Sequence, residues 1–390
     1  MEKTIKDLDI YISDGNYSSK YPRSEEFVKE GIPFIRGNNM VDGDISDDEM
    51  YYITPEKHAI LLKGHVKAGD VLITTRGNIG QVAIVPERHE DSNINAQIVL
   101  LRTNSKSLYN RYLLWALQSH RANEQYIALQ TGTALKQLPV GKLEKLSIKV
   151  ADIDEQHDIA NTLDKVYEVI KERRKELLLL DNLIKARFVE MFGDPIQNPK
   201  GWEVVTIGDI VTEVRYGTSK PAVEGGKYPY LRMNNLTADG HLDLNDLKYI
   251  DIPDDEIEKC VVRKGDVLFN RTNSIELVGK TAVFDLPEDM IIAGYIIRVR
   301  LTEKMLPEVL SQYMNLEALK GILRGMAKGA VNQANINAQE LQSIKVYIPE
   351  MELQKQFVKM KEQIYKSKVV YMSIHKKLGK QKKQIKYKIA

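Results

Sequence analysis

The chain repeats itself at a fixed spacing, and this constrains its fold more than any other feature. Ile32-Pro33-Phe34-Ile35-Arg36-Gly37-Asn38-Asn39 returns as Tyr228-Pro229-Tyr230-Leu231-Arg232-Met233-Asn234-Asn235, 196 positions on (229 minus 33). At the same shift, Val66-Lys67-Ala68-Gly69-Asp70-Val71-Leu72 becomes Val262-Arg263-Lys264-Gly265-Asp266-Val267-Leu268, and Leu146-Ser147-Ile148-Lys149-Val150 becomes Gln342-Ser343-Ile344-Lys345-Val346. Separate blocks at one offset mark a duplicated structural unit. Small gaps fall between the blocks: Arg76 aligns with Arg271 at 195, and Ile98-Val99 with Ile296-Ile297 at 198.

Each copy trails into a long helical stretch. From Asp152 to Met191, apolar residues stand at Ile159, Leu163, Val166, Ile170, Leu177, Leu180, Ile184, Phe188 and Met191, with no Gly or Pro among them. That spacing makes a helix with one apolar seam. Leu353 to Ile389 carries a comparable seam at Phe357, Met360, Ile364, Tyr371, Ile374, Leu378 and Ile385. Each seam is the natural cover for the other. Gly193-Asp194-Pro195 ends the central helix, Gly as a C-cap and Pro as a bar to continuation, and Asn198-Pro199-Lys200-Gly201 completes the turn. The expected order is a globule over 1–151, a helix over 152–195, a second globule over 196–349 and a second helix over 350–390.

Within each globule, short β-rich runs such as Asp70 to Thr74 and Gln97 to Arg102 lie between Gly, Asn and Pro. A helical stretch follows them, Tyr109 to Tyr126 in one copy and Leu306 to Leu323 in the other. The fold class is therefore α+β: two similar α/β domains with mostly antiparallel sheets, separated by two long antiparallel helices forming a coiled coil, in a pseudo-twofold repeat. A helix of about 38 residues at roughly 1.5 Å each is near 55 Å long.

Composition removes several classes of function. The longest apolar runs, such as Leu177 to Leu180, fall far short of the ~20 residues of a membrane span, and Met1-Glu2-Lys3-Thr4 opens no signal peptide, so a cytoplasmic protein is expected. The single cysteine, Cys260, excludes an internal disulfide framework and reads as a small buried apolar residue. The net charge of +2 hides segregation: Lys355 to Lys388 holds twelve Lys and one acid, whereas Asp42 to Glu49 holds five acids and no base. There is no GxxxxGK[ST] loop, GxGxxG or HExxH. Asn198-Pro199-Lys200-Gly201 lacks the second Pro and the aromatic of an N-P-P-Y turn, and Asp246-Leu247-Lys248 has no Pro-Asp pair closely upstream. The seven His are scattered, and neither a metal cluster nor a catalytic constellation is expected.

The loops after the Gly-Asp turns carry most of the chemistry. Thr74-Thr75-Arg76-Gly77-Asn78-Ile79-Gly80 and Asn270-Arg271-Thr272-Asn273-Ser274-Ile275-Glu276-Leu277-Val278-Gly279-Lys280 set Arg, Asn and hydroxyl side chains on Gly-containing loops. These groups contact phosphate oxygens and base edges. The DNA-binding candidates are thus Thr74, Thr75, Arg76 and Asn78 with Asn270, Arg271, Thr272, Asn273 and Lys280. Two further loop pairs join them: Thr131, Lys136 and Gln137 with Lys328, Asn332 and Gln333, and Ser19 and Lys20 with Thr218, Ser219 and Lys220. Arg36, Asn38, Arg232 and Asn234 read instead as turn caps. The acidic loops from Asp42 to Glu49 and Asp239 to Glu258 should face away from any nucleic acid. The lysine-rich terminal stretch reads as a solvated face, as a track for phosphates or as a subunit contact.

With the repeat laid out, the sequence resembles the specificity (S) subunits of type I restriction-modification systems. The resemblance rests on Gly69-Asp70-Val71-Leu72 and Gly265-Asp266-Val267-Leu268, on Leu138 to Ile159 with its Glu155-Gln156, and on Leu183-Ile184-Lys185-Ala186-Arg187-Phe188-Val189-Glu190-Met191-Phe192-Gly193-Asp194-Pro195. The second copy departs at Glu352-Leu353-Gln354, where Glu155-Gln156 has its counterpart, and no Phe-Gly-Asp-Pro follows the terminal helix. The resemblance implies two target-recognition domains, each reading half of a split site in double-stranded DNA, with the helices acting as a ruler. It also implies partners: two methyltransferase subunits that bring S-adenosylmethionine, and two translocase-nuclease subunits that use ATP and Mg²⁺. This non-catalytic chain would bind none of those cofactors itself. Since the half-sites of a split target usually differ, the aligned Arg76 and Arg271 are expected on the DNA backbone, and specificity from Thr74, Thr75 and Asn78 against Asn270, Thr272 and Asn273. Against this stands a duplicated scaffold that binds only proteins. A fused methyltransferase would need the absent N-P-P-Y turn.

Overall fold

The computed structural model describes residues 1–15, 18–103, 106–133, 135–330 and 333–388, with the backbone alone at 328–330, 333, 370, 373, 375, 376, 387 and 388. The chain divides into two compact units, Met1–Arg173 with Ser373–Ala390, and Arg174–Met372. Each unit holds one globule and a part of each long helix.

In the first unit the main sheet runs Ile10–Asp14, Ile98–Thr103, Val71–Thr74, Val82–Ile84, all antiparallel. A second sheet orders Tyr51–Ile53, Ile32–Ile35 and Asn93–Ile94, the last two parallel. In the second unit Val211–Tyr216, Ile296–Leu301, Val267–Asn270 and Thr281–Val283 repeat the main sheet. Tyr228–Leu231 lies antiparallel to Lys248–Ile250 and parallel to Met290–Ile292. A two-stranded ribbon closes each globule: Glu2–Thr4 on Ser147–Lys149, and Glu203–Thr206 on Lys345–Ile348.

The Gly-Asp turns recur because each builds the same knot. Gly69 and Gly265 sit at φ +86° and +95°, a region that side chains resist. The following carboxylate caps the turn: Asp70 accepts from the Lys67 N–H at 2.8 Å and Asp266 from the Arg263 N–H at 2.9 Å. Each buried carboxylate then takes a guanidinium from the neighbouring strand, Arg102 at 2.7 Å and Arg300 at 3.0 Å. Arg36 and Arg232 likewise lead into buried caps, their N–H groups donating to Asn39 and Asn235 at 3.1 and 2.8 Å. The capping residue of each Asn pair is thus its second member.

Strand register corrects one alignment. Thr74 pairs with Ile98 and Asn270 with Ile296. Next along, the N–H groups of Thr75 and Arg271 donate to the carbonyls of Gln97 and Tyr295, at 2.7 and 3.0 Å. Arg271 is therefore the counterpart of Thr75, and Arg76 that of Thr272. The loop beyond is longer in the second copy, so matching by residue identity placed the gap too early.

Each of the two expected helical stretches is a pair of helices. Asn110–Leu117 is followed by His120–Leu129, and Pro307–Met314 by Glu317–Met326. Ser119 caps the second helix of the first pair by accepting from the Ala122 N–H at 3.2 Å. In the other pair Asn315 turns its amide onto the strand instead, donating to the Thr281 carbonyl at 2.6 Å.

The long helices span Ile153–Phe192 and Met351–Lys388. Every seam residue expected on the first is buried or half-buried, and on the second Ile374 is the exception. In the second unit Phe188 and Phe192 meet Phe357 edge-on, ring centres 5.3 and 5.4 Å apart, while Asp181 pairs with Lys368, so the helices run antiparallel there. In the first unit Tyr167 meets Lys382. Asp164 anchors the central helix to its globule, taking Arg111 through both carboxylate oxygens and the Trp115 indole N–H at 2.8 Å.

The departure at Glu352-Leu353-Gln354 proves to be a one-residue offset. Gln156 is fully buried, accepts from the Tyr109 N–H at 2.8 Å and donates to the carbonyls of Ser107 and Ala151. Gln354, equally buried, accepts from the Leu306 N–H at 2.8 Å and donates to those of Lys304 and Pro349. Cys260 is buried, its thiol donating to the Glu256 carbonyl.

Candidate nucleic-acid interface

In the first unit three loops converge beyond the end of Val71–Thr74. Thr131 and Gln137 exchange backbone hydrogen bonds at 2.8 and 2.9 Å, Arg76 bridges to Gln137, and the Leu138 N–H donates to the Thr75 carbonyl at 2.8 Å. The third loop joins across a cavity of about 320 Å³ lined by Ser18, Tyr21, Arg76, Ala96 and Gln97. Gly80, at φ +86°, lets the loop lie against the next helix, since a Cβ there would fall 2.6 Å from the Tyr126 ring.

The second unit repeats the convergence. Thr272–Asn273 pairs with the strand Gln333–Asn335, which pairs with Lys328–Ala330. Arg271 lies over the Tyr216 ring at 5.1 Å, and Tyr216 leads into Thr218, which bridges to Ala293. Lys20 and Lys220 occupy the same small turn, their N–H groups donating at 3.2 Å to Ser18 and Thr218 hydroxyls.

Of the residues the sequence singles out, Ser19, Lys20, Asn78, Thr131, Lys136 and Gln137 are exposed and Arg76 is half-buried. In the second unit Ser219 is exposed, and Thr218, Lys220, Arg271 and Asn273 are half-buried. Asn332 lies outside the described residues, as do the side chains of Lys328 and Gln333. No Asp or Glu occurs in 18–20, 74–80 or 131–137, and Glu276 is the one acid in 218–220, 270–280 and 328–333. Both rims thus present hydroxyl, amide and cationic donors.

Five of the expected contacts turn inward, because each belongs to a strand end or to the base of its loop. Thr74 is buried and accepts from the Gln81 N–H at 3.0 Å, while Thr75 donates to the Gln97 carbonyl at 3.1 Å. Asn270 is fully buried and donates to the Thr272 and Tyr295 carbonyls. Thr272 is also buried. Lys280 donates to the carbonyls of Met233, at 2.9 Å, and Leu236, and burial lowers its pKa. These side chains set the loop shape and leave the outer surface to their neighbours. Lys220 is partly occupied as well, pairing with Glu256 at 2.8 Å. The acidic stretch from Asp239 to Glu258 therefore does not turn wholly away from the rim. Its first residue, Asp239, pairs with Lys368 at 3.4 Å.

Sequence reading passed over Gln97 and Tyr295, equivalent and exposed at their rims. Their signal lies in the repeat itself, one residue before the matched Ile98 and Ile296. The terminal-helix lysines are also not merely solvated: Lys368 is buried, and Lys382 and Lys386 each lie 4.9 Å over the Trp115 ring. Nor are all the histidines scattered in space, since His58 and His65 meet beside Asp91.

A family model described as the type I restriction modification DNA specificity domain matches residues 2–179 and again 199–376. The chain belongs to that family. The second match starts 197 positions after the first (199 minus 2), in step with the repeat. Among specificity subunits, the EcoKI subunit of Escherichia coli K12 is 22% identical over 353 residues, 86% of this chain and 75% of its own length. The MjaIX subunit of Methanocaldococcus jannaschii is 24% identical over 260 residues, 60% of this chain and 57% of its own. The fold is that of solved S subunits. The crystal structure of a type I restriction-modification system S subunit from M. genitalium aligns over 99% of this chain and 94% of its own, at TM-score 0.59 and 16% identity. A chain from a study of complex assembly and conformational transition of the type I R-M system aligns over 100% and 96%, at TM-score 0.57 and 18% identity.

Proposed function

We propose that this specificity-family chain reads a bipartite sequence in double-stranded DNA, one half-site per compact unit, with the long helices fixing the spacer between the halves. The observation that carries this reading is the pair of rims: one framework holds both, yet the exposed side chains differ at equivalent places. A shared framework with unlike donors suits half-sites of unlike sequence. Arg76 and Arg271, once matched as equivalents, occupy different positions, and each is assigned to base reading in its own half-site.

The same reading gives the long helices a second task, docking the methyltransferase subunits. Leu178, Leu179 and Leu183 project off the paired seam, exposed at 65%, 57% and 44%. Two methyltransferase subunits would bring S-adenosylmethionine, and two translocase-nuclease subunits ATP and Mg²⁺, leaving this chain without a cofactor for catalysis. The site of action is the cytoplasm, and no described helix is long and apolar enough to cross a membrane.

The test is duplex binding by the chain assembled with its methyltransferase subunits, at several salt concentrations, after the target has been mapped by methylome sequencing. Binding with a steep salt dependence and protection of two separated half-sites is expected. A protein-only scaffold would leave the methyltransferase binding DNA equally well without this chain.

A further inference from the structure

The first unit brings together three side chains that DNA reading does not use. His58 lies in the short helix Pro55–Ile60, His65 follows Gly64, and Asp91 precedes the strand Asn93–Ile94. The two imidazole centres are 4.3 Å apart. One nitrogen of each ring already has an oxygen partner: His58 Nδ1 meets Asn93 Oδ1, and His65 Nε2 meets the Leu61 carbonyl. In its neutral form each ring gives its N–H to that oxygen and keeps a lone pair on the other nitrogen. Those nitrogens face one carboxylate, His58 Nε2 at 3.5 Å from Asp91 Oδ2 and His65 Nδ1 at 3.9 Å from Oδ1.

We infer that His58, His65 and Asp91 form a binding site for a divalent transition-metal ion of the zinc class. Imidazole and carboxylate bonds of about 2.0–2.2 Å in a tetrahedron set ligand atoms roughly 3.3 Å apart. The three ligand atoms here lie within 4.8 Å of one another, so a small inward movement of flexible side chains completes the geometry. Outer oxygens that fix the tautomer are the usual support of histidine ligands, and both rings have one. Two imidazoles and one carboxylate favour zinc or its neighbours over magnesium or calcium, with a fourth position left for water. The Asp91 side chain is 74% exposed, which gives an ion a way in from solvent.

The second unit shows what this place looks like without a metal. The Val66 N–H donates to the Ser92 carbonyl and Val262 pairs with Met290, so Asp289, one residue before Met290, is the counterpart of Asp91, one before Ser92. Asp289 takes the Arg263 guanidinium at 3.1 Å, and neither the helix Asp254–Cys260 nor the strand Val261–Val262 contains a histidine. The site thus belongs to one copy alone. Its ion would pin the 55–65 segment to the strand whose continuation, Asn95 to Gln97, borders the loop rim. The inference does not depend on what that rim binds.

The experiment uses the full chain without a histidine tag, stripped of metal, then dialysed against micromolar zinc and assayed for bound metal. Cobalt absorption provides a second readout of tetrahedral nitrogen and oxygen ligation. One equivalent per chain is expected, together with a rise in melting temperature. Asp91→Asn, at an exposed position, should weaken binding about tenfold or more, and His58→Gln with His65→Gln should abolish it, while His120→Gln leaves it unchanged. Circular dichroism of the stripped variants checks that each remains folded. Absence of bound zinc, or equal retention by wild type and Asp91→Asn, would mean an ion pair only and overturn the assignment.

Discussion

At the scale of single residues, the framework and the proposed reading surface are made by different side chains on the same loops. The Asp70 carboxylate, 1% exposed, both caps a turn and holds Arg102. Asp70→Asn should cost about 2 kcal/mol of stability, less than a fully buried pair because Arg102 is partly solvated, as measured by urea unfolding. An unchanged midpoint would deny that the Gly-Asp motif is structural. Arg76→Ala should leave stability nearly intact and weaken cognate DNA binding by about 1–3 kcal/mol, relaxing preference in one half-site only. Titration against targets altered in either half measures this, and uniform weakening across all sequences would return Arg76 to the phosphate backbone. The sequence showed that these loops matter, but not which way each side chain points. Lys280 and Arg76 look alike as cations, and only tertiary burial makes one an internal donor to carbonyls. The His58, His65 and Asp91 cluster was invisible for a similar reason: a chain reversal of many residues brings the carboxylate to the rings.

At the scale of elements, the long helices and the repeated strands were legible because their periodicity is local and their copies agree. The split helices were not, since the break after Met314 depends on an Asn315 amide bonded to a distant strand. Gln156 and Gln354 act at this scale, each tying a helix start to its globule through three hydrogen bonds. Gln354→Leu should destabilise the second unit by about 2–3 kcal/mol by leaving a buried N–H and carbonyls unpaired, and Gln156→Leu should do the same in the first. Chemical denaturation of each variant is the check, and a change below experimental scatter would contradict it. The terminal helix also carries a pH signature. Burial lowers Lys361 to about 8 despite nearby Glu308 and Asp239, against about 10.4 in an unfolded chain. Between those values the unfolded chain holds the extra proton, so this group makes folding more favourable as pH rises. Lys361→Met should flatten the increase in unfolding midpoint between pH 7.5 and 9.5, and an unaltered slope would place the lysine in solvent.

At the scale of the whole molecule, duplication is what would let one chain read two different sequences, as proposed. One framework was kept in both copies, with its Gly-Asp knots, buried glutamines and strand register, while the rim residues diverged. On the proposed function the helices are the remaining variable, since the distance between half-sites would have to be set by something rigid. A helix rises about 1.5 Å per residue and turns once in about 3.6, so four residues inserted beside Lys175 add roughly 6 Å and nearly restore the facing. The decisive measurement is therefore methylome sequencing of a host carrying this insertion variant with its partner subunits. The same two half-sites separated by a longer spacer are expected. An active variant that modifies the original target with its original spacing would contradict the ruler.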